Sequence, residues 1–205
     1  MPLFIDPIDN RGFLLQNTPG ENMQATVRDL MIPLNEYATV SVDATLYDAV
    51  IALENAQLAF DRNRYLHRAL LILDKNGKVV GKVSQLDILR ALEPKYGDMD
   101  DQIPLTRFGY SRKFISSLLE KFRLWEMPIH EICHKSSGLK VAKFMYVPSE
   151  GEYVSQNAPL TEAIHLLVMG HHQSLLVSKK EKIVGVLRLT DVFREVTQII
   201  KNCAV

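Results

Sequence analysis

Apolar residues change their spacing along the chain, and each change marks an element. Thr39-Val40-Ser41-Val42 alternates polar and apolar positions, as a short half-buried strand does. Leu46, Ala49, Val50 and Leu53 then recur at helical spacing, one stripe of an amphipathic helix, with Asp43 where an N-cap is expected. Ala69 to Leu73 is a continuous apolar run, the pattern of a buried strand. Asp74-Lys75-Asn76-Gly77 is a hairpin signal, and Lys78 to Val83 returns as a strand that leads into a helix from Gln85.

The same order comes a second time. Slid by 114 residues, Val27, Met31, Glu36, Val40, Ser41, Ala44, Leu46, Ala49 and Leu53 fall on Val141, Met145, Glu150, Val154, Ser155, Ala158, Leu160, Ala163 and Leu167. Further on, a shift of 104 places Leu71, Lys75, Lys78, Val80, Gly81, Asp87 and Arg90 on Leu175, Lys179, Lys182, Val184, Gly185, Asp191 and Arg194. The first copy therefore carries about ten extra residues, for which 57–66 is the natural place. In the second copy Asn157 takes the N-cap position and Ser178-Lys179-Lys180-Glu181 the turn. Two copies of β-α-β-β-α predict an α+β chain in which each half, too small to cover its own sheet, packs on the other.

Residues 26–93 and 140–205 form the two copies, after an N-terminal extension of residues 1–25. Between them, 94–139 reads as a helical linker. Phe114, Ile115, Leu118, Leu119 and Phe122 make one face of a helix from about Ser111 to Trp125, which Pro128 ends. Such a linker is longer than a tether needs, and it is expected to pack on the module or on a partner chain.

In order and in duplicate, these stretches resemble cystathionine-β-synthase-type (CBS) domains. The resemblance rests on Val27-Arg28-Asp29-Leu30-Met31, Thr39-Val40-Ser41, the Leu46–Leu53 helix, Leu70 to Asp74 and Gly81-Lys82-Val83-Ser84-Gln85-Leu86-Asp87. In the second copy it rests on Val141 to Met145, Tyr153-Val154-Ser155, Leu175-Leu176-Val177 and Gly185-Val186-Leu187-Arg188-Leu189-Thr190-Asp191. It implies a pseudo-twofold pair with ligand clefts between two sheets. It also implies a regulatory ligand such as AMP, ADP, ATP or S-adenosylmethionine, a homodimer, no required cofactor, no catalysis, and regulation of an attached or associated protein that the sequence leaves unidentified.

The chemistry of such a ligand singles out residues. A ribose offers two vicinal hydroxyls to one carboxylate, the role open to Asp87 and Asp191 in the first turns of their helices. Ser84 adds a hydroxyl, and Arg90 and Arg194, three residues on, are candidates for phosphate oxygens, as are Arg68 and His172 ahead of the middle strands. By the resemblance, Thr39, Val40, Tyr153 and Val154 help line an adenine slot. Ser84-x-x-Asp87 is equally a helix capping box that needs no ligand. Arg188 stands where the family has Ser or Thr, either filling its cleft or offering charge to a polyphosphate.

Composition narrows the classes. The 24 basic and 24 acidic side chains cancel, giving no overall case for nucleic acid or an anionic membrane. No apolar run approaches the roughly 20 residues of a membrane span, and the N-terminus lacks a basic signal-peptide start. Cys133 and Cys203 lie far apart, which is the usage of a reduced, cytoplasmic chain. His130-x-x-Cys133-His134 has metal-like residue types without a second cluster, and the basic run over 106–123 reads as a solvated helix face. Two other functions stand beside the sensor: a ligand-free assembly scaffold, and a small enzyme for which no catalytic set is found.

Overall fold

A computed structural model describes residues 25–59, 67–100 and 111–203. The N-terminal extension up to residue 24, residues 60–66 of the expected insertion, and residues 101–110 of the linker (with Pro104, Arg107 and Gly109) lie outside them.

The first copy runs α1 (Val27–Leu30), β1 (Ile32–Pro33), β2 (Thr39–Ser41), α2 (Leu46–Ala59), β3 (Ala69–Leu73), β4 (Val79–Ser84) and α3 (Gln85–Ala91). The linker holds α4 (Lys95–Asp100), α5 (Arg112–Lys121) and α6 (Ile129–Ser136). The second copy follows with β5 (Tyr153–Ser155), α7 (Leu160–Gly170), β6 (Ser174–Lys179), β7 (Lys182–Arg188) and α8 (Leu189–Cys203). One sheet has the order β2-β3-β4, the other β1-β7-β6-β5.

The second order shows that the copies trade their entering segments. β1 belongs to the first copy by sequence but pairs antiparallel with β7 of the second, Ile32 opposite Val186. Reciprocally, Tyr146 of the second copy bridges Lys82 on β4 of the first. Val27 N–H donates to the Ala158 carbonyl at 3.0 Å, and Val141 N–H to the Ala44 carbonyl at 3.0 Å. The cores follow suit. Val27 is buried in the second copy's core with Val154, Leu175 and Leu187, and Val141 in the first copy's core with Leu70, Ile72 and Val83. A third cluster, Ile32, Tyr37, Leu71, Leu176 and Val186, seals the two sheets together. Neither half is complete alone.

This crossing accounts for residues that the copies share. A Cβ on Gly185 would collide with the Ile32 carbonyl, and one on Gly81 would lie 2.8 Å from Met145 Sδ and 3.1 Å from the Tyr146 carbonyl oxygen. Met31 packs against Gly185 as Met145 does against Gly81. Ser41 and Ser155 accept the N–H groups of Asp43 and Asn157 at 3.2 and 3.3 Å, closing turns ahead of the helices. Asp43 and Asn157 are thus turn residues, not N-caps. Thr45 caps α2 in a box with Asp48, and Pro159 precedes α7.

Strand register also corrects the alignment of the copies. Leu71 faces Lys82 and pairs with Thr39, whereas Leu176 faces Val186 and pairs with Tyr153. Leu71 therefore matches Leu176, and the middle strands are related by 105 residues rather than 104. The extra residue sits in the first copy's turn, where Gly77 adopts φ +75°. In the linker, α5 is shorter than expected, and α6 carries His130 to His134. The linker has a small core of its own: Met99, Leu118 and Leu124 with Tyr96, Phe122 and Trp125. Glu93, buried at the end of the first copy, accepts the Trp125 N–H at 2.8 Å and anchors it. Phe114, Ile115 and Leu119 stay exposed.

Gly185→Ala is expected to cost about 1–3 kcal/mol, because a new methyl meets backbone that cannot rotate away. At about 2–4 °C per kcal/mol for a chain of this size, a thermal melt reads the loss directly. Gly81→Ala meets a flexible thioether first and should cost less. Equal costs would contradict the asymmetry of the two crossings.

Candidate functional site

Strand β4 runs straight into α3, which sets Ser84 as the N-cap of that helix. The Ser84 N–H and hydroxyl each donate to Asp87 Oδ2 at 2.7 Å, and Asp87 N–H donates to Ser84 Oγ at 3.2 Å. The capping box is formed, yet all its bonds to the carboxylate converge on one oxygen. Among the described residues nothing donates to Asp87 Oδ1. Half-buried, that oxygen is open to a hydroxyl donor.

The second copy has the same backbone and the opposite outcome. Arg188, at the position of Ser84, turns onto Asp191: Nε donates to Oδ2 at 2.5 Å and Nη2 to Oδ1 at 2.8 Å. Both side chains are buried, 5% and 4% exposed, so neither oxygen of Asp191 is available to a ribose. A bidentate guanidinium satisfies the carboxylate from within the protein. Tyr37 closes in beside this pair. Burial pushes its phenol up to about 12, the Arg188 charge pulling it down and the Asp191 charge pushing it further up, so it stays neutral near pH 7. Its ring meets the buried His67 ring edge-on at 4.6 Å. At the matching positions of the first cleft stand Ser84 for Arg188 and Gly151 for Tyr37, both far smaller.

The other expected residues are distributed unevenly. Arg90 and Arg194 lie one turn beyond each aspartate, both half-buried. With the corrected register Arg68 matches Gln173, not His172. Their carbonyls accept Gln85 N–H and Leu189 N–H, both at 3.0 Å, and the Arg68 side chain is exposed. His172 matches His67; its N–H caps α7 on the Leu167 carbonyl and its ring lies against Gly170. The Val40 and Val154 side chains belong to the two cores, leaving only their backbone for a ligand. Tyr153 is exposed. Thr39 lines a cavity of about 500 Å³ with Leu34, Asn35, Tyr37, Leu73 and Val184, and neither aspartate borders it.

One cluster was missed. Lys82, two residues before Ser84 and on the same face of β4, forms an ion pair with Glu152 of the second copy. Tyr146 donates its hydroxyl to Glu152 Oε1 at 2.5 Å, and the Ser149 N–H donates to the same oxygen at 3.2 Å. The Lys82 ammonium lies 5.1 Å from the Tyr146 ring centroid. Burial pushes the Glu152 carboxyl up, but the hydrogen bonds from Lys82 and Tyr146 and the Lys82 charge outweigh it and hold it below the usual range. At the three matching positions the other crossing has Val186, Ile32 and Ala38, all buried and apolar. Comparing the copies marks these positions as polar in one and apolar in the other, but only the crossing brings them together.

His130, Cys133 and His134 lie on α6, and no three potential metal-ligating side chains converge among the described residues. No helix of the described residues is long and apolar enough to cross a membrane.

Removing each aspartate should separate their structural roles. Asp191→Ala removes the bidentate partner of the buried Arg188 charge, an expected loss of about 3–5 kcal/mol. Asp87→Ala loses part of a helix cap, about 0.5–2 kcal/mol. Denaturant melts of the two variants check the order; a more stable Asp191→Ala would contradict the buried pairing.

A sequence profile of the CBS domain matches residues 27–94 and 147–198, more than half of the chain. No curated protein matches it in sequence. Among solved structures, CBSX2 from Arabidopsis thaliana shares 21% identity at a TM-score of 0.55, over 86% of this chain and 96% of that one. CBSX2 in complex with AMP shares 21% identity at 0.53, over 85% and 97%. MJ1004 of Methanocaldococcus jannaschii shares 20% at 0.53, over 85% of this chain, which spans 60% of that protein. CBS-pair proteins are generally regulatory modules rather than catalysts. With its two matched segments and its crossed α+β copies, this chain belongs to the CBS-domain family as a tandem CBS pair.

Proposed function

We propose that this chain is a regulatory module that binds one adenosine-containing ligand (AMP, ADP, ATP or S-adenosylmethionine) in its first cleft, with Asp87 holding the ribose. The uncommitted Oδ1 of Asp87, beside a fully committed Asp191, carries the reading. A carboxylate with one oxygen fixed by a cap and the other free is oriented before the ligand arrives, so little side-chain freedom is lost on binding. The AMP complex of the structural relative CBSX2 supports the ligand class. This reading assigns no catalytic step, and the second cleft serves as a structural element.

In this reading the chain regulates an attached or associated protein, and it does so as a homodimer. Leu89 on α3 and Phe193 on α8 occupy matching positions and are 56% and 63% exposed, with Leu86 and Ile200 exposed nearby. Because the pseudo-twofold presents the patch twice, a second copy can meet both halves with the same face.

Melting in the presence of each candidate ligand tests the binding. At about 100 times its dissociation constant, the right ligand should add roughly 2.7 kcal/mol of stability to the wild-type chain and none to Asp87→Asn. Stabilisation that survives in Asp87→Asn, or no response to any of them in ligand-free protein, would refute the proposal. Light scattering should give twice the chain mass, falling to the monomer in Leu89→Glu/Phe193→Glu; a wild-type monomer would refute the dimer.

A further inference from the structure

We infer that Lys82 is the anion-binding group of the first cleft, held in reserve by Glu152, and that the ligand must therefore carry a phosphate. This deepens the reading above and rests on it, for it concerns the same cleft.

Four observations combine. Lys82 and Ser84 are two apart on β4 and share a face, about 7 Å apart along the strand. Ser84 in turn holds the Asp87 carboxylate. A group that engages Asp87 with its sugar hydroxyls therefore has Lys82 within reach of its 5′ side. The ion pair is also unequally covered, with the Lys82 side chain 18% exposed and that of Glu152 only 2%. A ligand meets the ammonium first, and Glu152 lies behind it. A cationic sulfonium would approach its own charge, whereas a phosphate would be attracted. Next, Glu152 does not rely on Lys82 alone, because Tyr146 and the Ser149 N–H also donate to it. Lys82 can turn toward a new anion without leaving Glu152 bare. Finally, α3 supplies little to a phosphate: it has seven residues, and Ser84 and Asp87 already cap its start.

The ion pair acts as a competitor. Glu152 holds the ammonium in the empty cleft, and the phosphate must displace it. Glu152 belongs to the entering segment of the second copy, which also carries Tyr146, so the exchange loosens one of the two crossings that join the copies. Occupancy would thus be transmitted from the cleft to the junction of the halves.

Titration calorimetry with AMP and adenosine, on the full chain and on Glu152→Gln and Lys82→Met/Glu152→Gln, tests the inference. The wild type should bind AMP more tightly than adenosine. Glu152→Gln should tighten AMP by about tenfold and leave adenosine unchanged, since it removes the competitor and keeps the ammonium. The double variant, which leaves no unpaired charge, should bind both equally. A preference for AMP that survives in the double variant, or its absence from the wild type, would overturn the role of Lys82 while adenosine binding keeps the proposed function intact. Failure of adenosine, AMP, ADP, ATP and S-adenosylmethionine alike to bind the wild type would overturn the proposed function and this inference together.

Discussion

The structure depends on a reciprocal crossing. Each copy sends its entering segment across the pseudo-twofold, where it adds an edge to the other copy's sheet and a valine to the other copy's core. The segments approach closely, and the position facing each crossing is glycine: Gly185 against the Ile32 carbonyl, and Gly81 against the Met145 thioether and the Tyr146 carbonyl. Val27 and Val141, both fully buried, complete cores to which their own copies do not otherwise lead. Each half completes the core of the other, and the clefts between the sheets are formed by the assembled pair.

Given that scaffold, the two clefts differ by a few side chains. In one, Arg188 neutralises Asp191 in a buried bidentate pair, and Tyr37 and His67 fill the space beside it. In the other, Ser84 holds a single oxygen of Asp87, and Gly151 occupies the place of Tyr37. The buried pair stabilises by satisfying charges that burial would otherwise penalise, and it commits its cleft to structure. The polar crossing at Lys82, Tyr146 and Glu152 accompanies the open cleft, whereas the closed cleft has the apolar crossing of Ile32, Ala38 and Val186. The two copies thus share a backbone and differ in which aspartate keeps an oxygen that nothing donates to among the described residues.

Much of this was legible in the sequence because the repeat compares the chain with itself. Identical residues at a constant shift marked the glycines, the core valines and the aspartates, and alternation and helical spacing placed most elements. Where the shift itself changes, the reading slipped by one residue. A one-residue difference in turn length is invisible to spacing, and it displaced Arg68 from its true match to His172. The N-caps at Asp43 and Asn157 failed because Ser41 and Ser155 already hold those residues in turns. Arg188 was recognised as a departure, but its direction was not, since a guanidinium can point outward to phosphate or inward to Asp191 with the same spacing. The pairing of Lys82 with Glu152 is a contact across 70 residues that only the crossing brings together.

The central claim is that one cleft is open and the other is closed by its own arginine. Nuclear magnetic resonance of backbone amides during titration with AMP addresses it site by site. The account predicts shifts over the region of Lys82 to Arg90 and in the facing segment 146–152, with Arg188 to Arg194 unmoved. Direct perturbation of Arg188 to Arg194, with Ser84 to Arg90 unmoved, would contradict it.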